Sequence, residues 1–238
     1  MPVPEGFSPA LLVIDVQYDF CPPDGSLAVA SGLDILPTVN TLLAHKAFVT
    51  RIATRDFHPP DHISFAPNHA PPDNVPFVSS TTVVNPENPN ESYTTRLWPV
   101  HCVQGTHGSE LHAGLNLAKI DKVVCKGTGS RVEMYSAFHD PFQHPCISDS
   151  GLADMLRAAG ATWVYVVGLA TDYCVKASAL DAKRAGFNVV VIAEGTRAVD
   201  PACVPDVVAE LEAEDVKFVS MKDEEVRQWL GLDVDQQS

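Results

Sequence analysis

A doubly wound α/β fold, with a mostly parallel sheet covered by helices on both faces, is predicted by three features of this 238-residue chain. Short β-branched runs recur along it, most are apolar throughout instead of alternating, and helical patterns separate the later ones. Residues 10–16 (ALLVIDV) read as the first strand, and 33–45, apolar at helical spacing after a Gly-containing turn, as the first helix. Residues 48–54 form the second strand candidate, and 120–125 the third. After these the alternation is regular, with strands at 162–168, 187–193 and 216–220 and helices at 151–159, 173–185 (closed by Gly186) and 205–213. No internal repeat or composition break demands a second domain, so residues 1–238 read as one.

The exception is the stretch 58–99, rich in proline and poor in strand or helix patterns. Segments of that length without structure of their own are functional or disordered. Its clustered histidines and aromatics favour an ordered flap, over about 63–97, that carries part of a site. The residues after 232 are polar and read as a frayed tail.

Composition narrows the function. Sixteen basic against 30 acidic side chains give a net charge of -14, which repels nucleic-acid phosphates and anionic membranes. No apolar stretch approaches the roughly 18 residues of a membrane span. The N-terminus lacks the basic segment of a secretory signal, so a cytoplasmic, reducing setting with free thiols is expected. The C-terminus shows no peroxisomal Ser-Lys-Leu signal.

Sites in open parallel sheets form beyond the carboxyl ends of the strands, and five chemically complementary residues sit there. Asp15 interrupts an apolar strand, a costly placement unless the carboxylate is paired or works as a general base. Asp56 and His58 follow the second run, two residues apart and hence on one face of an extended segment. With His101 or His62 they could hold zinc, iron or manganese. Lys126 follows the third run and could hold carboxylate and thiolate by charge. Cys174 lies in GLATDYCV (168–175), where Thr171 or Asp172 can cap a helix whose dipole would lower the thiol pKa. The other cysteines have no such setting, and no Cys-x-x-Cys pair occurs. Phe20, Trp98 and Tyr135 are aromatics near the same rim.

Taken together, the blocks LVIDVQYDF (12–20), TRDFHP (54–59), WPVHC (98–102), KG (126–127) and GLATDYCV (168–175) resemble the nicotinamidase branch of the isochorismatase-like cysteine hydrolases, and more closely its fungal members. The resemblance implies the isochorismatase-like fold, a triad of Asp15, Lys126 and Cys174, and one divalent metal, zinc foremost, on Asp56, His58 and His101. His62 matches an extra ligand of some relatives. It also implies nicotinamide as the small-molecule substrate, its ring flanked by Phe20 and Trp98, with Ala170 and Tyr135 as further substrate contacts. The reaction is deamination to nicotinate through a cysteine thioester, in NAD salvage. Backbone N–H groups of Ala170 and Cys174 would hold the oxyanion, and the bond before Ala170 is cis in relatives.

Two rival readings remain. Amidohydrolases of ureido or carbamoyl compounds use the same Asp, Lys and Cys but generally lack the metal ligands. A catalytically silent binding protein on this fold would be expected to have lost a triad member, and none is missing. Isochorismatase itself lacks the nucleophilic cysteine. The oligomeric state, including a homo-oligomer, is left open.

Overall fold

The computed structural model describes residues 2–232, so the tail expected to fray lies outside the described residues. Six parallel strands form the central sheet: β1 (Pro9–Ile14), β2 (Thr50–Asp56), β5 (Lys122–Lys126), β6 (Trp163–Leu169), β7 (Asn188–Arg197) and β8 (Lys217–Val219), in the order β5-β2-β1-β6-β7-β8. The chain runs outward from β1 to β5 on one side, then restarts at β6 beside β1 and runs outward to β8. Strand order therefore reverses between β1 and β6, where an open α/β sheet opens a crevice at its carboxyl edge.

Every residue of β1 is buried, as its uninterrupted apolar run requires. Its side chains alternate between two cores. Leu11 and Val13 join Val39 and Leu42 of α1 (Leu36–Ala44) and Val226 and Leu230 of α5 (Glu224–Leu230). Leu12 and Ile14 face the other way. They join Leu152 and Leu156 of α2 (Leu152–Ala158), Ala179 of α3 (Lys176–Arg184) and Leu211 of α4 (Val204–Ala213). Pro37 and Pro205 sit in the first turns of α1 and α4, where a missing N–H costs nothing.

The structure departs from the sequence reading in several places: β1 stops at Ile14 instead of 16, β7 runs on to Arg197 instead of 193, and the helix read from 33 is α-helical from Leu36. β2 begins and ends two residues later than expected, so Asp56 is its last residue and pairs in register with Lys126, the last of β5. The helix expected from residue 173 starts at Lys176, after a π-helical turn over Thr171–Val175. A short fifth helix, α5, was not anticipated. The stretch 58–99 is not without strands: it holds an antiparallel hairpin, β3 (Ser80–Asn85) and β4 (Asn88–Arg96), turned at Pro86 and Glu87. Among the described residues no helix is long and apolar enough to cross a membrane.

Candidate active site

The carboxyl edge of the sheet gathers the residues singled out in the sequence. β1 ends at Ile14, and Asp15 turns out of it with φ of +48°, its amide donating to the Thr54 carbonyl at 3.2 Å. That turn is tight against β6: a Cβ on Gly168, at φ +117°, would collide with the Ile14 backbone, so only glycine fits. Thr54, on β2, donates its hydroxyl to Asp15 Oδ1 at 2.6 Å. The other carboxylate oxygen, Oδ2, is buried and ion-paired with Lys126 Nζ at 3.0 Å.

Lys126 is buried, not a surface lysine. Its ammonium pairs with Asp15 and with its cross-strand neighbour Asp56, donates to the Met134 carbonyl at 3.2 Å, and reaches Cys174 Sγ at 3.4 Å. Burial opposes its charge, but Asp15 and Asp56 overcome that and hold its pKa well above the ordinary value. Cys174, Asp15 and Asp56 each bring a ligand atom within 4.8 Å of the others.

The electrostatics correct one expectation. Burial pushes the Cys174 thiol well above its usual pKa, and Asp15 and Asp56 add to the rise against the pull of Lys126. The helix-end effect does not decide this thiol. Nor do Thr171 and Asp172 cap the turn: Thr171 pairs with the Thr196 hydroxyl at 2.8 Å, and Asp172 accepts from the amides of Val199 and Asp200. Burial also raises the Asp15 carboxyl to about 6, again against Lys126. The resting pair near neutral pH is thus a thiol beside a carboxylate, the protonation states a general base requires.

Beside this triad, Asp56, His58 and His101 converge with ligand atoms within 4.8 Å of one another, all three buried. Their chemistry fits a divalent cation. His58 Nδ1–H donates to the Gly127 carbonyl and His101 Nδ1–H to the Pro99 carbonyl, both at 2.8 Å, so Nε2 is the nitrogen of each ring that could ligate a metal. His58 Nε2 is buried without a hydrogen-bond partner. Gly127 makes room for that ring, since a Cβ there would strike it. Burial and the neighbouring His58 lower His101 to about 4, keeping it neutral and ready to ligate. His58 is raised, because Asp56 overcomes its burial. For Asp56, Lys126 and His58 overcome burial and hold its carboxyl well below the usual range.

His62 stands apart from that trio. It stacks on His58 with ring centres 4.0 Å apart, and both its nitrogens are engaged, Nδ1 with Ser64 and Nε2 with the Val132 carbonyl. It groups instead with His58 and Glu133.

Cys174 of the triad and Asp56 and His101 of the trio open onto one pocket, with Asp15, Lys126 and His58 buried behind them. Phe20, Trp98, Tyr135, Ala170, Asp56, His101 and Cys174 line it, as do Leu27, Val29, Glu133, Leu169, Tyr173 and Val199, which the sequence reading missed. The peptide bond between Leu169 and Ala170 is cis. Two further residues escaped notice because they act on backbone. The Gln17 amide accepts from the Asp56 N–H and donates to its C=O, both at 2.8 Å, and also donates to the Ser109 carbonyl. Asp19 accepts the Cys102 amide at 2.6 Å, holding the turn that carries His101, where Cys102 has φ of +46°.

Comparison with known proteins agrees with this geometry. The isochorismatase domain matches residues 9–222, almost the entire described chain. The chain belongs to the isochorismatase family. This family member is 42% identical over 191 residues to the nicotinamidase of Acinetobacter baylyi, covering 80% of this chain and 82% of that protein. Its fold matches that of yeast nicotinamidase bound to the inhibitor nicotinaldehyde with a TM-score of 0.82 at 35% identity, over 89% of this chain and 99% of the yeast one. It also matches the pyrazinamidase of Pyrococcus horikoshii in complex with zinc, with a TM-score of 0.68 at 32% identity, over 90% of this chain and 99% of that one.

Proposed function

We propose that this isochorismatase-family chain is a nicotinamidase, hydrolysing nicotinamide to nicotinate and ammonia. The observation that carries the reading is the placement of a buried Asp15–Lys126–Cys174 cluster and a buried Asp56–His58–His101 cluster on one aromatic-walled pocket. The nicotinamidase relatives support the same substrate.

The chemistry follows from the side chains. Asp15 takes the Cys174 proton, and the thiolate attacks the carboxamide carbon. Lys126 keeps its proton throughout and stabilises Asp15 and the thiolate by charge. Backbone N–H groups of Ala170, just before the π-helical turn, and of Cys174 within it hold the oxyanion. Asp15 then delivers the proton to the departing ammonia, and a water that it deprotonates cleaves the thioester. A divalent cation, zinc foremost, held by Asp56, His58 and His101 would supply a Lewis-acidic anchor for the pyridine nitrogen. Phe20 and Trp98 bracket the ring, and Tyr135 closes the wall beside it.

The rival amidohydrolases of ureido or carbamoyl compounds generally lack the metal ligands that Asp56, His58 and His101 offer here. Ammonia release from nicotinamide, with and without chelator, decides between them. Chelator-sensitive release is expected. Release from carbamoyl compounds alone, indifferent to chelator, would overturn the proposal.

A further inference from the structure

Two pocket residues, Glu133 and Tyr135, sit on a loop that no sheet strand supports. What holds them is the inserted hairpin. Tyr93 and Thr95 are two residues apart on β4 and so share a face, and their partners are likewise two apart. The Tyr93 hydroxyl accepts from the Glu133 amide at 2.9 Å and donates to the Glu133 carbonyl at 2.7 Å. Thr95 Oγ1 lies 2.9 Å from the Tyr135 hydroxyl, which lies 2.9 Å from Trp98 Nε1.

Chemistry sets the direction at the Trp98 end of that second chain, while at the other end either hydroxyl can donate. An indole N–H can only donate, so the Tyr135 oxygen accepts from Trp98, and the phenol hydrogen is free for Thr95. Between the two braced residues, the Met134 carbonyl accepts from Lys126. The segment 133–135 is thus tied to the triad on one side and to β4 on the other. The hairpin and this loop also share a small apolar cluster of their own, Val83, Val132 and Phe142, with Tyr93 packed on Phe142 at 5.0 Å between ring centres.

We infer that β4 is a positioning element for the pocket: the Thr95 hydroxyl orients the Tyr135 phenol and through it the Trp98 indole, and the Tyr93 phenol sets the backbone at Glu133. Neither Tyr93 nor Thr95 lines the pocket itself, so both act through other residues. The inference rests on the nicotinamidase reading, because it assigns Trp98 and Tyr135 to the substrate ring.

The test is Thr95→Val, which keeps the β-branched shape and removes the hydroxyl, with Thr95→Ser as the rescue. Loss of one buried hydrogen bond that orients the ring wall should raise KM for nicotinamide about 3- to 10-fold and change kcat less than about twofold, with Ser restoring KM. In ligand-free protein labelled with ¹⁵N-tryptophan, the Trp98 Nε1–H resonance should shift in Thr95→Val while those of Trp163 and Trp229 stay in place. An unchanged KM with an unmoved Trp98 resonance would overturn the inference. So would a KM rise that Ser does not rescue and that comes with shifts at all three indoles, the signature of general loosening. If Thr95→Val does not fold, Tyr93→Phe carries the test: KM should rise with kcat kept, and an unchanged KM refutes the brace. Should the wild-type chain release no ammonia from nicotinamide, the functional reading fails, while the indole resonance still decides whether Thr95 orients Trp98.

Discussion

Replacing Thr54 by Val should move the acid limb of the pH–rate profile upward by about one unit. Asp15 must be ionised to accept the thiol proton, and burial has already lifted its carboxyl to about 6. The Thr54 hydroxyl donates to Oδ1 at 2.6 Å and favours the charged form. A hydrogen bond to a charged group contributes about 1.5–3 kcal/mol, or about one to two pKa units. The lower figure applies because Lys126 stays 3.0 Å from the other oxygen. At pH 6 the wild type would then be about half ionised and the variant about one-tenth, a fivefold difference in kcat/KM that closes above about pH 8.5. Stability carries the same sign. The folded-state pKa lies above the ordinary value of 3.8, so this group's stabilisation is fully present below about pH 4 and is lost as pH rises through about 6. In Thr54→Val the loss runs on to higher pH, leaving the variant less stable at pH 8 by about 1–2 kcal/mol, with the gap shrinking in acid. Ammonia release from pH 4.5 to 9 and urea unfolding at both ends of that range measure the two effects. Superimposed profiles, or an equal rate loss at every pH, would refute the role given to Thr54 and Asp15.

Cys174→Ala should abolish ammonia release while nicotinamide binding stays measurable by calorimetry, because the nucleophile is lost and the ring site is not; retained turnover removes Cys174 from its role. His101→Ala should lower bound metal and raise KM strongly, with Cys174 still labelled by thiol reagents; full metal occupancy in the folded variant would strike His101 from the ligands. Lys126→Met leaves Asp15 and Asp56 buried without their cation, which should cost about 3–5 kcal/mol and lower Tm by roughly 6–20 °C, and a Tm within 2 °C of wild type would count against the buried network.

The sheet was readable because strands buried on both faces must be apolar throughout, and residues such as Leu11 to Ile14 leave little choice. The hairpin was not, for the opposite reason. β3 and β4 are largely exposed, with Val83 and Asn85 buried on one strand and Thr95 on the other, so their alternation is faint and prolines mask it. α5 spans seven residues and buries only Val226 and Leu230, too short a pattern to stand out. In the site, Asp15 was legible as a violation, a carboxylate interrupting an apolar run, and the structure places it just past the end of β1. Glu133, Val29 and Val199 were not, because they reach the pocket from loops whose course the local sequence does not encode. The direction of the Cys174 shift was misjudged for a related reason: a helix-end argument sees neighbours in sequence, whereas burial and the facing Asp15 and Asp56 come from elsewhere in the chain.

Charge explains why these departures from ordinary folding rules collect at one edge of the sheet. Three buried carboxyls, Asp15, Asp56 and Glu133, stand around or beside the pocket with a single buried ammonium, Lys126. Counted formally, with the imidazoles neutral, the cluster is two negative charges in excess, a costly state for a protein interior unless a cation joins it. The metal-free chain already answers part of that deficit. Asp56 raises the affinity of His58 for a proton against the penalty of burial, while His101, also buried and opposed by His58, stays neutral. A divalent cation held by Asp56, His58 and His101 would replace that partial answer with a complete one and bring the formal balance to zero. Such a cation and the triad would be electrostatically one assembly, joined by the Asp56 carboxylate, whose cross-strand register with Lys126 places one oxygen on the ammonium and leaves the other 3.5 Å from His58 Nε2.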